Sequence, residues 1–454
     1  GEIELQAYAV AETDGLIVRV TTQQCPRELQ LIWAFGGVTG QRGIRDGDIG
    51  TEKVPISEYF QLQPENCRGN RIETAPGAFR LVSAVARLIG SVPPDGTCAV
   101  ADAKHWADSV ALLNSTSEAE PELPVAVGSC PLGHEPRYLL VQRVDLTSAE
   151  ELATYRDVSA QPGDTPTRER VAREFTHNEL PALFARTETH FGALRNRVSV
   201  RTPDPFLNAA VAALNIAADA VWDEPQGVVL HGAIAWRSRL LGWRGPYAMD
   251  ALGWHDRARR HLAYWATRQD LSTIPETFPP PEEATNLARS RSALHSQGNL
   301  SNSHYDMNLV YIDALLRHLE WTGDLNFARE VWPVIERHLA WEQRLFRREF
   351  KSDGVSAPLY EAYAAIWASD DLQYHGGGVT YTSAYNAFHH RRAARLAQRL
   401  GYSSEAYERE ADGIEQAMRR HLWIEEQGSF GEFKDWLGRQ LIHPSPGLWS
   451  IYHP

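Results

Sequence analysis

The chain has 454 residues, enough for two or three domains with buried cores. Its formal net charge is −13, with Lys and Arg scattered rather than striped. That balance argues against a nucleic-acid partner or an anionic membrane surface, and no apolar run reaches the roughly 20 residues that span a bilayer.

Residues 1 to 165 read as β structure. Short alternating or apolar runs at Gly15–Thr21, Leu29–Ala34, Phe79–Val85 and Arg137–Arg143 are separated by Gly, Pro, Asp and Asn, and a β-sandwich is the fold this pattern predicts. All four cysteines, Cys25, Cys67, Cys98 and Cys130, fall in this part, and their spacing fits two disulfides and four free thiols equally. None stands in a metal-ligand pattern, so no metal and no cofactor is expected. The 14 Trp against 3 Met suit a carbohydrate-active protein of the periplasm or the extracellular space.

From 166 to 200 the texture becomes charged and helix-compatible, a linker helix region. Helices follow from 201 to 454. Asp204-Pro205 is an N-cap with proline at the first helical position, and Phe206, Ala209, Ala213, Ala217 and Val221 keep one face apolar. Leu309, Ile312, Leu315 and Leu319 repeat that spacing, Trp321–Asp324 breaks it, and Val331, Ile335, Leu339 and Phe346 carry a second helix back. A further hairpin runs from Thr382 to Leu422, turning at Gly401–Ser404. Repeated hairpins predict an α/α toroid whose site is built from the loops at one mouth. About six or seven core helices precede Pro454 against the twelve of a closed (α/α)6 ring, so the toroid is expected to be incomplete, with further polypeptide or a second fragment as its partner.

The segment Leu359–Gly378 concentrates the chemistry. Glu361, Asp370 and Asp371 alternate there with Tyr360, Tyr363, Trp367 and Tyr374 ahead of a flexible glycine run. Rings that stack on pyranose faces, beside acids that protonate or activate oxygen, are what a sugar site needs. A solvated turn capped by Asp370 or Asp371 is the plainer reading, and Glu361 is equally a substrate-orienting acid or a buried structural one. Trp243, Arg244, Tyr247 and Asp250 form a second cluster, readable as a sugar clamp or as an ordinary Arg–Asp bridge. His304 opens a helix and could touch substrate. Glu432 and Asp435 follow the last hairpin, either as a second acid at the mouth or as surface charge.

The stretches His231–Asp256, Ser303–Asn308 and Trp367–Gly378 together resemble the six-hairpin glycosidase superfamily, closest to a branch found in polysaccharide-degrading bacteria. The resemblance covers 165–454 and implies an (α/α)6 barrel behind an N-terminal sandwich, cleaving glycosidic bonds, usually with inversion. Met249–Trp254 is similar to the acid-bearing motif of α-L-rhamnosidases, which implies a carboxylate role for Asp250. Trp367–Asp370 is similar, with its residue order changed, to the neighbourhood of the general acid in trehalases and related α-glucosidases, which implies that role for Asp370.

The expected activity is therefore glycoside hydrolysis of an oligo- or polysaccharide. Asp370, Glu361 and Asp250 are the catalytic candidates, and Trp243, Arg244, His304, Tyr363, Trp367, Asp371 and Tyr374 the substrate-binding ones. Alternatives are a polysaccharide lyase acting on uronate glycans through His304, Tyr305 and Tyr385, and a glycan-binding protein without catalysis. Trp243, Arg244, Asp250, His304, Glu361 and Asp370 are expected to line one concave pocket.

Overall fold

The computed structural model describes residues 1–26, 28–39, 62–84, 86–117, 120–144, 173–224, 226–230, 245–274, 305–352, 354–365, 373–375 and 377–445, with 232, 239 and 241 singly. The chain is mixed β and α and divides into two compact units, Gly1–Arg156 with Thr165–Ile216, and Ala217–Pro454 with Asp157–Asp164.

The first unit holds two antiparallel sheets. One has the order β1 (Glu2–Ala9), β2 (Gly15–Gln23), β9 (Arg137–Arg143), β6 (Arg87–Ser91), β5 (Ala78–Val82), β4 (Arg71–Ala75); the other pairs β3 (Gln30–Phe35), β8 (Pro124–Pro131) and β7 (Thr97–Asp102). Alternation along the strands turns Phe79 and Leu81 of the first sheet towards Trp33, Phe35 and Ala126 of the second, and these close one hydrophobic cluster. Phe79 stacks on Trp33 at 5.7 Å and lies over Gly90, where a Cβ would sit 1.9 Å from the ring. The cysteines are free thiols, and burial pushes Cys98 up to about 11.

A short helix, α1 (Ser109–Asn114), is capped by Asp108. Helix α2 (Leu180–Arg195) occupies the region expected to be a linker, but it docks on the six-stranded sheet instead. Its Leu180, Leu183 and Phe184 pack with Val10, Ile17 and Leu140, and Arg19 lies over the Phe184 ring at 4.4 Å. Helix α3 (Pro205–Ala220) starts as its sequence predicts: Asp204 Oδ1 accepts from Phe206 N at 2.8 Å and Leu207 N at 3.3 Å. Its apolar face is the exception. Phe206 is 83% exposed, and the helix buries only Asn215, whose Nδ2 donates to Arg195 O and Val198 O.

The second unit begins with the ladder of β10 (Trp222–Asp223) and β11 (Val228–Val229). Then come α4 (Gly245–Ala251), α5 (His255–Ala266), α6 (Tyr305–Thr322), α7 (Leu325–Leu345), and two β-hairpins, β12 (Arg347–Ser352) with β13 (Val355–Tyr360) and β14 (Ala362–Ala365) with β15 (Gln373–His375). After β16 (Gly378–Val379) the helices resume with α8 (Thr380–Leu400) and α9 (Glu405–His421). The chain then forms the pair β17 (Trp423–Ile424) and β18 (Ser429–Phe430), and adds β19 (Phe433–Lys434) and β20 (Ile442–His443) to β16.

Direction in this unit follows from who touches whom. Leu309 and Val310, early in α6, share a cluster with Trp341 and Leu345 late in α7, whereas Leu316 and Leu319 share another with Phe327 and Val331. The two helices are therefore antiparallel. By the same test α8 runs parallel to α6 and α9 runs back. Helices α6 and α8 are buried on every side over 308–316 and 380–387, whereas α7 and α9 bury one face. Sharp turns fit the sequence: Asp324 caps α7 through Asn326 N and Phe327 N, and Gly401 closes α8 at φ 82°.

Candidate functional site

Helices α4, α6 and α8 run in the same direction through this helical layer; α6 and α8 start at one end, and α4 lies alongside the middle and later part of α6. Tyr247, two residues into α4, donates its hydroxyl to Asp313 Oδ2 at 2.5 Å and approaches Val310 O at 3.3 Å, and α5 runs back so that Leu262 O accepts from Tyr311. At this starting end the described chain between α7 and α8 forms the strand pairs β12–β13 and β14–β15, with Glu361 as the single residue between them, and the turn expected at Asp370 and Asp371 lies outside the described residues.

Glu361 is fixed at the base of β14. Its backbone N donates to Phe346 O at 2.9 Å, and its buried carboxylate accepts from Arg348 Nη2. Arg348 is held in turn by Leu345 O at 2.9 Å and Arg347 O at 3.1 Å, and its guanidinium lies 5.3 Å from the Trp436 ring. Two low-exposure side chains of opposite charge are thus in direct contact at the base of the strand.

The glycine run is not slack at its described positions. A Cβ on Gly377, at φ 100°, would stand 2.1 Å from Lys434 O, and one on Gly378 would stand 2.5 Å from Leu359 Cδ1. Glycine is needed because the strand carrying Lys434 passes directly against this backbone. Just past that strand Asp435 Oδ1 meets His443 Nε2 at 3.1 Å, whereas Lys434 turns towards His421.

Asp250 belongs to the other end. Its Oδ1 accepts from His255 Nδ1 at 2.8 Å and from His318 Nδ1 at 2.9 Å, which ties α4, α5 and α6 together. The His318 ring packs on Phe327, at the start of α7, whereas Glu361 is bonded to Phe346, just past its end. At 1.5 Å per residue those two points are about 28 Å apart along the helix. Carboxylates that cooperate across one glycosidic bond stand roughly 5–9.5 Å apart. Asp250 and Glu361 therefore do not share a pocket, which corrects the expectation that they would.

Of the other candidates, Trp243, Arg244, His304, Trp367, Asp370 and Asp371 lie outside the described residues. Tyr363 is a residue of β14 and Tyr374 of β15, with side chains outside the description. Among the described residues no group of three or more His, Cys, Asp or Glu could hold a metal.

Sequence reading missed a buried polar row between α4, α6, α7 and α8. Asp313 Oδ2 also accepts from Arg317 Nε at 2.8 Å, its Oδ1 is 3.9 Å from His389 Nε2, and the His389 ring lies 6.1 Å from that of His338. Burial first, and then the Asp313 carboxylate, push the Tyr247 hydroxyl well above its usual range. Burial, with neighbouring histidines, holds His338 and His389 well below theirs. Tyr385 sits against His389 with ring centroids 5.5 Å apart and is buried, so it belongs to this interior row. Only the pairing of helices reveals it, because its members lie on separate elements.

Residues 1–161 match the family model described as Domain of unknown function (DUF4450). No curated protein matches. Among solved structures, a bacterial glucoamylase complexed with acarbose aligns over 98% of this chain and 58% of its own, at 11% identity and TM-score 0.42. A GH78 family rhamnosidase of Bacillus sp. GL1 aligns over 96% and 35%, at 13% identity and TM-score 0.39. A rhamnosidase from Klebsiella oxytoca with rhamnose bound aligns over 92% and 74%, at 14% identity and TM-score 0.37. The chain thus spans 58% of the glucoamylase's length and about a third of the Bacillus enzyme's.

Proposed function

We propose that this chain is a glycoside hydrolase, with a β-sandwich ahead of part of an (α/α)6 toroid, and that it removes a sugar from an oligo- or polysaccharide by acid-assisted displacement. The observation that carries the reading is the β14–β15 hairpin. It lies between α7 and α8 at the end where α6 and α8 begin, has a buried, arginine-held carboxylate at its base, and has Tyr363 and Tyr374 on its two strands. Acids and flat rings on one short excursion are suited to a pyranoside.

In this reading Asp370 gives its proton to the leaving glycosidic oxygen as the bond to the anomeric carbon breaks. A second carboxylate takes a proton from the water that attacks the opposite face, which inverts the configuration. Tyr363, Trp367, Tyr374 and Trp243 stack on sugar rings, and Arg244, His304 and Asp371 hold hydroxyls. Glu361, paired with Arg348, orients the hairpin. The test is Asp370→Asn assayed on an unactivated oligosaccharide and on an aryl glycoside with a good leaving group. Turnover of the first should fall about a hundredfold or more, with the second much less affected. Equal losses on both would show that Asp370 is structural.

A further inference from the structure

The loop between β19 and β20 carries an exposed tryptophan that is locked from behind. Trp436 is 42% exposed, beside Leu437 and Leu441, which are also exposed. Its indole Nε1 donates to Glu349 O at 3.3 Å, and the Arg348 guanidinium lies 5.3 Å from its ring. The loop is braced as well: Gln440 Nε2 donates to Trp436 O at 3.0 Å, and Asp435 N donates to Leu441 O at 2.9 Å. Arg348 is the same residue that holds Glu361, and the Trp436 backbone runs against Gly377. Glu361, Arg348 and Trp436 are thus one connected series of contacts that ends at the base of β14.

A large apolar ring left open to water needs a reason when so much hydrogen bonding is spent on fixing its orientation. Packing alone would be better served by burying it. Cation–π contact on one side holds the plane, and the exposed part of the ring is left for a ligand. A flat, pre-oriented, electron-rich surface suits the C–H face of a pyranose, because little side-chain entropy remains to be lost on binding.

We propose that Trp436 is a stacking platform for a pyranose unit of the substrate, with Arg348 as its positioning residue; the inference rests on the glycoside hydrolase reading above. It is tested with the wild-type chain, Trp436→Ala and Trp436→Phe, on a panel of neutral and uronate-containing oligosaccharides. Three quantities are read: binding by calorimetry, KM and kcat where there is turnover, and the thermal midpoint. Trp436→Ala should weaken binding or raise KM about tenfold with kcat changed far less, and Trp436→Phe should recover most of the loss.

Loss of thermal stability with KM and binding unchanged would mean that Trp436 only packs over Arg348, and would overturn the inference. If the wild type cleaves glycans and Trp436→Ala cleaves them with the same KM, the platform fails while the hydrolase reading stands. If the wild type binds glycans without cleaving them and Trp436→Ala loses the binding, the platform stands while the hydrolase reading fails. A wild type that neither binds nor cleaves the panel overturns the platform too.

Discussion

Acid should unfold the second unit through its buried histidines before any carboxylate is involved. His261, on α5, is fully buried; its Nδ1 must accept the Val229 N–H at 3.0 Å, which leaves the proton on Nε2, facing Leu241 O at 3.2 Å. Burial takes its pKa from 6.5 down to about 4. A depressed histidine pKa means that the unfolded chain gains a proton first. Stability is therefore intact above about pH 6.5, falls as the pH drops below that value, and stops falling on this account near pH 4, where the folded form protonates too. At pH 5 the loss from His261 alone is about 2 kcal/mol. His338 and His389, lowered by burial and by their neighbours, add to it in the same direction. The carboxylates with lowered values, Glu179, Glu224, Glu349 and Asp324, act only below their ordinary 4.5 or 3.8, so the interval from pH 6.5 to 5 isolates the histidines. Urea unfolding followed by tryptophan fluorescence at pH 7.5, 6.5, 5.5 and 5.0 measures the effect, and His261→Gln should show a shallower slope. A midpoint constant across that range would refute the reasoning.

Other substitutions separate structural from functional roles. Arg348→Met should cost about 3–5 kcal/mol because it leaves the buried Glu361 carboxylate without its counter-ion, and Arg348→Met with Glu361→Leu should recover most of that; equal unfolding midpoints for the single and double variants would count against it. Asp250→Ala should destabilise by about 3 kcal/mol, because His255 and His318 both lose their acceptor, with Asp250→Asn milder. A stable Asp250→Ala variant with abolished turnover would instead return Asp250 to the chemistry. Gly377→Ala should be more damaging than Gly401→Ala in thermal denaturation, since both have positive φ but only the first would force a Cβ into backbone, at Lys434 O.

How legible these features were depends on the range over which each is decided. The break at Trp321–Asp324, the cap at Asp204 and the turn at Gly401 are local, and the structure ends or starts its helices within a residue or two of each. Residues 347–375 mix a charged stretch, Arg347–Ser352, with short apolar ones between helices, and whether such stretches become strands depends on their pairing. Arg347 opposite Tyr360 and Ala362 opposite His375 supply that pairing, which no helical or strand period reveals. The face of α3 was misjudged for a related reason. Its spacing is amphipathic enough to predict a buried stripe, yet whether a partner covers the stripe is not a property of the helix itself.

Asp250 shows most clearly what a motif leaves out. It lies seven positions after Trp243, and nearness in sequence suggests one site. Helix α4 begins between them, at Gly245, so Asp250 sits five residues into it and roughly 7.5 Å along its axis, and its bonds are to His255 and His318. The partner on α6 is 68 positions away in sequence. What a residue well inside a helix touches is decided by the neighbouring helices, here α5 and α6. A carboxylate motif in such a fold therefore points to a shared site only when the helix start is known, and in α4 that start puts Asp250 among the groups that hold the helices together.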